Sequence, residues 1–204
     1  MSCQVVQRNE LHEGLNVRED DKTDLEFLTL ARAGQADAVA MLVRRHTARV
    51  RSIVYPMVLN HADADDVTQE TLVKTIGSLS AFRGEAGFST WVHRIAVNTA
   101  LNFIKRHKRQ ATEVADEEAL AQIEDTAVRP ADRLEAEETD AAISGALARL
   151  SPEQRAAVSL VALQGMDERE AAMAAGCPAA TLRWRLHAAR KKLKNLLRNL
   201  RAEK

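Results

Sequence analysis

Two groups of residues in this 204-residue chain have types and spacing that could do chemistry. In the first, Phe82, Phe88, Trp91 and Phe103 fall within 22 residues, in a sequence with only four Phe, two Trp and one Tyr. Arg83 and Arg94 are interleaved with them, and the window runs into Lys105-Arg-His-Lys-Arg109. Rings that stack on bases, set among cations that hold phosphates, are what a single-stranded nucleic-acid surface needs, each stacked base being worth about 1–3 kcal/mol. The same residues could instead fill a small core. Trp91 and Phe103 are expected mainly there, whereas Phe82 and Phe88, beside Gly84 and Gly87, have less reason to be buried. The second group opens the last helix, after the turn Gly176-Cys-Pro178. Thr181, Arg183, Trp184 and His187 stand where a recognition helix reaches base edges, and Arg185, Arg190, Lys191, Lys192 and Lys194 stand where it meets phosphates.

Catalytic chemistry lacks its parts. The sequence holds no GxxxxGK[ST] loop, no GxSxG elbow and no HExxH pair. His61, Asp63, Asp65 and Asp66 are the one cluster that resembles a metal site. A calcium loop also needs a glycine at its sharp turn and a terminal glutamate in register, so these acids read as the start of a helix, where the dipole favours negative charge. No metal and no cofactor are expected. Cys3 and Cys177 form no CxxC pair, which supports neither a disulfide framework nor a zinc site and fits a reducing compartment. Cys177 is expected as a buried turn residue.

The elements that must position these groups are helical. Hydrophobic residues are 46% of the chain and charged ones 28%, a globular composition. Apolar positions recur at helical spacing and nothing alternates long enough for a sheet, so the fold class is all-α. The spacing predicts helices from about Asp24 to Gly34, from Ala36 to about Val54 with Pro56 limiting or bending it, and from His61 to Gly77 with Val67, Thr71, Leu72 and Ile76 as its apolar positions. A fourth helix begins at Ser89 and carries Trp91, Ile95, Asn98 and Asn102 into the basic run. Residues 80–88 read as a loop. Helical spacing resumes over residues 134–150. Ser151-Pro-Glu-Gln154 is a capping box with proline at the first helical position, opening a helix that ends at Gly165. Asp167-Glu-Arg-Glu170 is read as a second capping box, opening a short helix that ends at Gly176. The last helix, from Ala179, shows Leu182, Leu186, Ala189, Leu193, Leu196 and Leu200 at 4-3-4-3-4 spacing. A short helix, a glycine turn and a long basic helix make a helix-turn-helix.

Zero net charge conceals a segregation. Residues 1–110 carry 15 Lys/Arg against 13 Asp/Glu, residues 111–140 carry 2 against 11, and residues 141–204 carry 12 against 5. Two nucleic-acid contacts separated by an acidic linker fit this better than one basic surface. The expected organisation is an extension over 1–23, a first domain over 24–110, a linker over 111–133 and a second domain over 134–204. The acidic linker and the basic last helix should also attract, closing the free chain partly and in a salt-sensitive way. The longest run without a charge or amide, around Ser52 to Leu59, is far below the roughly 18 residues a membrane span needs. The polar, acidic first 25 residues lack the apolar region of a secretory signal. No membrane insertion and a cytoplasmic location are expected.

Asp65-Asp-Val-Thr-Gln-Glu-Thr-Leu, Phe82-Arg-Gly-Glu and Phe88-Ser-Thr-Trp-Val-His-Arg-Ile-Ala-Val-Asn-Thr-Ala together resemble the first domain of extracytoplasmic-function sigma factors. Leu150-Ser-Pro-Glu-Gln-Arg and Cys177-Pro-Ala-Ala-Thr-Leu-Arg-Trp-Arg-Leu-His-Ala-Ala-Arg-Lys-Lys-Leu resemble the second. The resemblance implies a non-enzymatic subunit that binds core RNA polymerase, through its beta and beta-prime subunits, and takes it to promoter DNA. It implies that Asp65, Asp66, Gln69 and Glu70 dock on polymerase. Phe82, Arg83, Trp91, Arg94, Asn98 and Asn102 would open the minus-ten element and hold a flipped base, with Lys105 and Arg106 on the upstream duplex. Thr181, Arg183, Trp184, Arg185, His187 and Arg190 would read the minus-thirty-five element, and the linker would thread the polymerase cleft. An anti-sigma factor is the implied regulator. The chain departs from the family pattern at Met166-Asp-Glu, Ala180-Thr-Leu, Trp184 and Ala188, where Ser-Tyr, Gly-Thr-Val, a small residue and arginine are usual, so an altered minus-thirty-five preference is expected. A solitary helix-turn-helix regulator would leave the first domain and linker unexplained, and a nuclease would need a carboxylate or histidine constellation that is missing.

Overall fold

The computed structural model describes the backbone of residues 19–115 and 143–202. In chain order the elements are α1 (Glu19–Arg32), α2 (Ala36–Val58), α3 (His61–Gly77), a 3-10 turn (Leu79–Ala81) and α4 (Phe88–Ala115). Then follow α5 (143–148), α6 (Pro152–Val158), running on as one π-turn (Ser159–Leu163), α7 (Glu168–Ala174) and α8 (Ala179–Ala202). Among the described residues there is no strand. Most of the linker and the start of the helix expected over 134–150 lie outside the described residues. At the linker's near end, α4 carries helix to Ala115.

The first four helices enclose a core of Val50, Ile53, Val54 and Met57 from α2, Ala64 and Val67 from α3, and Val92, Ala96, Val97 and Ala100 from α4. At α1, the fully buried carboxylate of Asp24 is held by His46 Nε2 at 2.8 Å and Arg45 Nε at 2.9 Å. A buried carboxylate persists only with such partners, so this pair of contacts fastens α1 to α2. Asn60 caps α3 by accepting from the Asp63 N–H at 3.0 Å.

α2 continues past its expected end near Val54, so Pro56 does not limit it. The helix runs through a buried Pro56 to Val58 and closes at Leu59, whose N–H returns to the Tyr55 carbonyl. A proline in a helix removes one bond to the residue four back, here the Ser52 carbonyl. The cost is offset from outside the helix. The Ser159 hydroxyl lies 3.5 Å from the Ser52 oxygen and donates to the Ile53 oxygen at 3.2 Å, while the Gln164 amide donates to the Ser52 hydroxyl at 2.8 Å.

Those bonds cross between the two halves of the chain. The second half has Leu150, Ala156, Ala157, Leu160, Ala171, Leu182, Leu186 and Ala189 in its interior, and this apolar cluster is continuous with that of the first half. The joint is made where α4 meets α7 and where α2 meets α6 and the π-turn. The expected capping box is present, with Ser151 accepting from the Gln154 N–H and the Gln154 side chain accepting from the Ser151 N–H.

Candidate polymerase and nucleic-acid interfaces

The loop after the 3-10 turn is folded inward. Gly84, at φ +76°, supplies a backbone reversal that side chains resist. Phe82 is 6% exposed and Phe88 1% exposed. The Phe82 ring centroid lies 5.3 Å from both Phe88 and Trp91, Phe88 lies 5.5 Å from Trp91, and His46 meets Phe88 edge-on at 5.3 Å. The expectation that Phe82 and Phe88 are less buried is therefore wrong. Flanking glycines mark a turn, and a tight turn can deliver its bulky residues to the core as readily as to solvent. Trp91 is half-buried and Phe103 buried, beneath the Arg106 guanidinium at 5.6 Å and against His107 at 4.1 Å.

What α4 offers to solvent is a stripe. Arg94, Asn98 and Asn102 are exposed at successive i,i+4 positions, and Lys105 and Arg106 extend the line. Beside its first turn is a cavity of about 660 Å³. Phe82, Arg83, Trp91 and Arg94 line one side of it, and Met173 and Cys177 line the other. Amides present a donor and an acceptor together and guanidinium groups hold phosphates, so the stripe can engage both base edges and backbone.

A different surface lies along α3. Asp65, Asp66 and Gln69 are exposed and Glu70 is half-buried, with Asp65 paired to Arg51 at 2.6 Å and Glu70 to Lys74 at 2.7 Å. Val73, 64% exposed, and Ile76, 41% exposed, carry this side of the helix onward. Sequence reasoning assigned Ile76 to the apolar side and did not single out Val73. The available signal was register: the buried positions Val67, Thr71 and Thr75 step by four, and Val73 falls between them. Apolar side chains amid charge suit a docking face better than a solvated one. His61 stacks on Tyr55 at 4.4 Å, and among the described residues no three His, Cys, Asp or Glu groups converge at ligand distances.

In the second half, Asp167 caps α7 by accepting from the N–H groups of Arg169 and Glu170, both at 2.8 Å. Gly176, at φ +61°, turns the chain, and the Cys177 N–H returns to the Ala172 carbonyl at 3.1 Å. Cys177 is half-buried, less enclosed than expected. Leu182, Leu186 and Ala189 of α8 are buried against α6 and α7, which leaves Arg183, Trp184, His187 and Arg190 exposed and Thr181 and Arg185 half-buried. Arg183 pairs with Glu168 at 3.0 Å across the turn. Trp184 is 67% exposed. An indole on the outer side of such a helix brings bulk and one donor, so Trp184→Ser is expected to change which promoter sequences are retained in a selection, without loss of stability. An identical profile would remove Trp184 from the DNA-reading set.

An amide-and-arginine stripe on α4 and the helix-turn-helix of α7 and α8 make this a helical protein with two candidate nucleic-acid surfaces. Sigma-70 region 2 matches residues 42–110, and Sigma-70, region 4 matches residues 140–193. The ECF RNA polymerase sigma factor SigM of Mycobacterium tuberculosis is 35% identical over 178 residues, covering 87% of this chain and 86% of that one. The ECF RNA polymerase sigma-E factor of Haemophilus influenzae is 30% identical over 184 residues, covering 87% of this chain and 97% of that one. Among solved structures, the sigma factor RpoE of Bartonella quintana, in complex with the anti-sigma factor NepR, matches with a TM-score of 0.59 and 28% identity over 78% of this chain and 93% of that one. CnrH, in complex with the cytosolic domain of CnrY, matches in fold with a TM-score of 0.64 and 24% identity over 86% of this chain and 97% of that one. The chain belongs to the extracytoplasmic-function sigma factors of the sigma-70 family.

Proposed function

We propose that this sigma factor grips core RNA polymerase through the exposed face of α3 and opens the minus-ten element along α4. Asp65, Asp66, Gln69 and Glu70 give the α3 face its charge, and Val73 and Ile76 give it apolar area. Arg94, Asn98 and Asn102 contact the unpaired strand, with Trp91 and the wall of Phe82 and Arg83 beside the extruded base. A base out of the stack needs apolar walls and hydrogen bonds to its edge. Lys105 and Arg106 hold upstream phosphates, and Thr181, Arg183, Trp184, Arg185, His187 and Arg190 meet the minus-thirty-five element. The factor contributes binding and DNA distortion, not an enzymatic step of its own, and works in the cytoplasm where core polymerase is. The carrying observation is the exposed Arg94–Asn98–Asn102 stripe beside an aromatic wall, in a chain that also presents a helix-turn-helix.

The halves are packed together with the first turn of α4 facing α7. In this closed form part of the minus-ten surface is covered, so promoter engagement requires the halves to part. The acidic residues 116–142 lie outside the described residues. The contacts described at the joint are apolar packing and the Ser159 and Gln164 hydrogen bonds, and the expected linker-to-α8 attraction falls on residues outside the described ones. An anti-sigma factor, a partner of the kind found bound to RpoE in its solved complex, would bind this chain and compete with polymerase. Mixing the purified chain with core polymerase and a set of promoter templates tests the reading. Template-specific transcripts that need both proteins are expected, and a DNA shift or DNA cleavage by the chain alone, without such transcripts, overturns it.

A further inference from the structure

We propose that Arg32, at the C-terminal end of α1, is a positioning residue that sets the minus-ten loop for promoter opening. The inference rests on the reading of that loop given above. The chain leaves the 3-10 turn at Phe82, where φ −68° and ψ 116° are extended. The turn is held internally by the Ala81 N–H to Ser78 oxygen bond at 2.9 Å and a long Phe82 N–H to Leu79 oxygen bond at 3.4 Å. Arg32 reaches across from α1 and supplies what the turn lacks. Its Nε and Nη2 donate to the Leu79 carbonyl at 3.1 and 2.7 Å, and Nη2 also donates to the Phe82 carbonyl at 2.5 Å. One guanidinium thus spans both ends of the segment from Leu79 to Phe82, immediately before Arg83 and Gly84.

The geometry needs an arginine. Two carbonyls engaged by donors on one planar group use its fork, and a lysine ammonium would act as a single point charge. Within α1, Asp24 is fastened to His46 and Arg45 of α2, 2.8 and 2.9 Å away. A helix pinned at Asp24 and gripping the loop at its C-terminal end works as a strut, and it transmits the position of α2 to the loop. Held this way, the loop enters the reaction already ordered. Without Arg32, the entropy of ordering the glycine-containing segment 83–87 falls on the opening step. Arg32 precedes the matched region-2 residues 42–110, so the family match does not point to it.

The test compares Arg32→Ala and Arg32→Lys with Arg83→Ala in the full-length chain bound to core polymerase. Readouts are core affinity, thermal unfolding, and open-complex formation on a duplex promoter and on a pre-melted one. For Arg32→Ala, duplex opening should fall about tenfold, with core affinity and unfolding within twofold and a few degrees of wild type. The pre-melted template should restore most of the loss, and Arg32→Lys should recover little. An equal loss on both templates would make Arg32 a direct DNA contact, and full activity of Arg32→Lys would show that charge alone suffices; either overturns the positioning role. If Arg83→Ala impairs duplex opening and Arg32→Ala does not, only the strut fails. If neither variant impairs it, the reading of the loop fails with it.

Discussion

Phe82→Ala is expected to lower the stability of the first half by about 3 kcal/mol, the usual cost of emptying a buried phenylalanine site, and core binding should fall with it. Phe82 is 6% exposed and touches both Phe88 and Trp91, so its removal opens a hole in the aromatic cluster as well as in the wall of the cavity. Asn98→Ala should behave differently. Asn98 is exposed on α4, and its loss leaves the core intact. Good side-chain contacts to a base are worth about 1–3 kcal/mol, so open-complex formation on a duplex promoter should fall about tenfold while core affinity holds. Core binding separates the two variants: it should hold in Asn98→Ala and fall in Phe82→Ala, and a pre-melted template, whose unpaired strand still needs the Asn98 contact, should restore neither. Denaturant unfolding of both, beside core-binding titrations, provides the check. Loss of core binding in Asn98→Ala would return that residue to a structural role.

The second large effect is expected at α3. Asp66→Lys combined with Glu70→Lys should weaken core binding at least about tenfold at low salt. Reversing interfacial charges replaces attraction with repulsion, and charges at an interface rim act chiefly on association rate and salt response. Glu70 also loses its i,i+4 pair with Lys74, whose side chain is 46% exposed. That pair is worth only a few tenths of a kcal/mol, so the fold should survive. Association kinetics at two salt concentrations, with binding of the isolated variant to minus-thirty-five duplex as the control, make the measurement. Unchanged core association would move the docking face away from Asp66 and Glu70.

The parts of this molecule legible in its sequence are those where one short segment settles its own conformation. Ser151-Pro-Glu-Gln154 carries both halves of its cap within four residues, and Gly176 breaks the helical period between an alanine-rich helix and a basic one. The leucine spacing of α8 likewise decides which side is buried, so Trp184 and Arg183 could be placed outside from period alone. The errors arose where the deciding partner is distant. Pro56 is tolerated because Ser159, more than a hundred residues later, sits against the carbonyls beside the gap. Phe82 and Phe88 are buried because Trp91, one turn along α4, packs on Phe82 while His46, more than forty residues earlier on α2, closes over Phe88. Arg32 finds its acceptors nearly fifty residues away, and no local pattern announces a guanidinium that holds backbone oxygens.

The proline in α2 also bears on how easily the two halves part. An uninterrupted helix would hide the Ser52 carbonyl in its own ladder and leave the second half little but grease to hold. Here the seam carries hydroxyl, amide and carbonyl groups, from Ser52, Ile53, Ser159 and Gln164. Such groups exchange one partner for a water at a net cost of about 0.5–1.5 kcal/mol each. The seam is a wettable latch: directional enough to define a resting register, yet releasable by an opposing surface that offers modest binding energy. If taking hold of a promoter requires the halves to part, as proposed above, a helix broken in one bond gives this sigma factor a place to let go of itself.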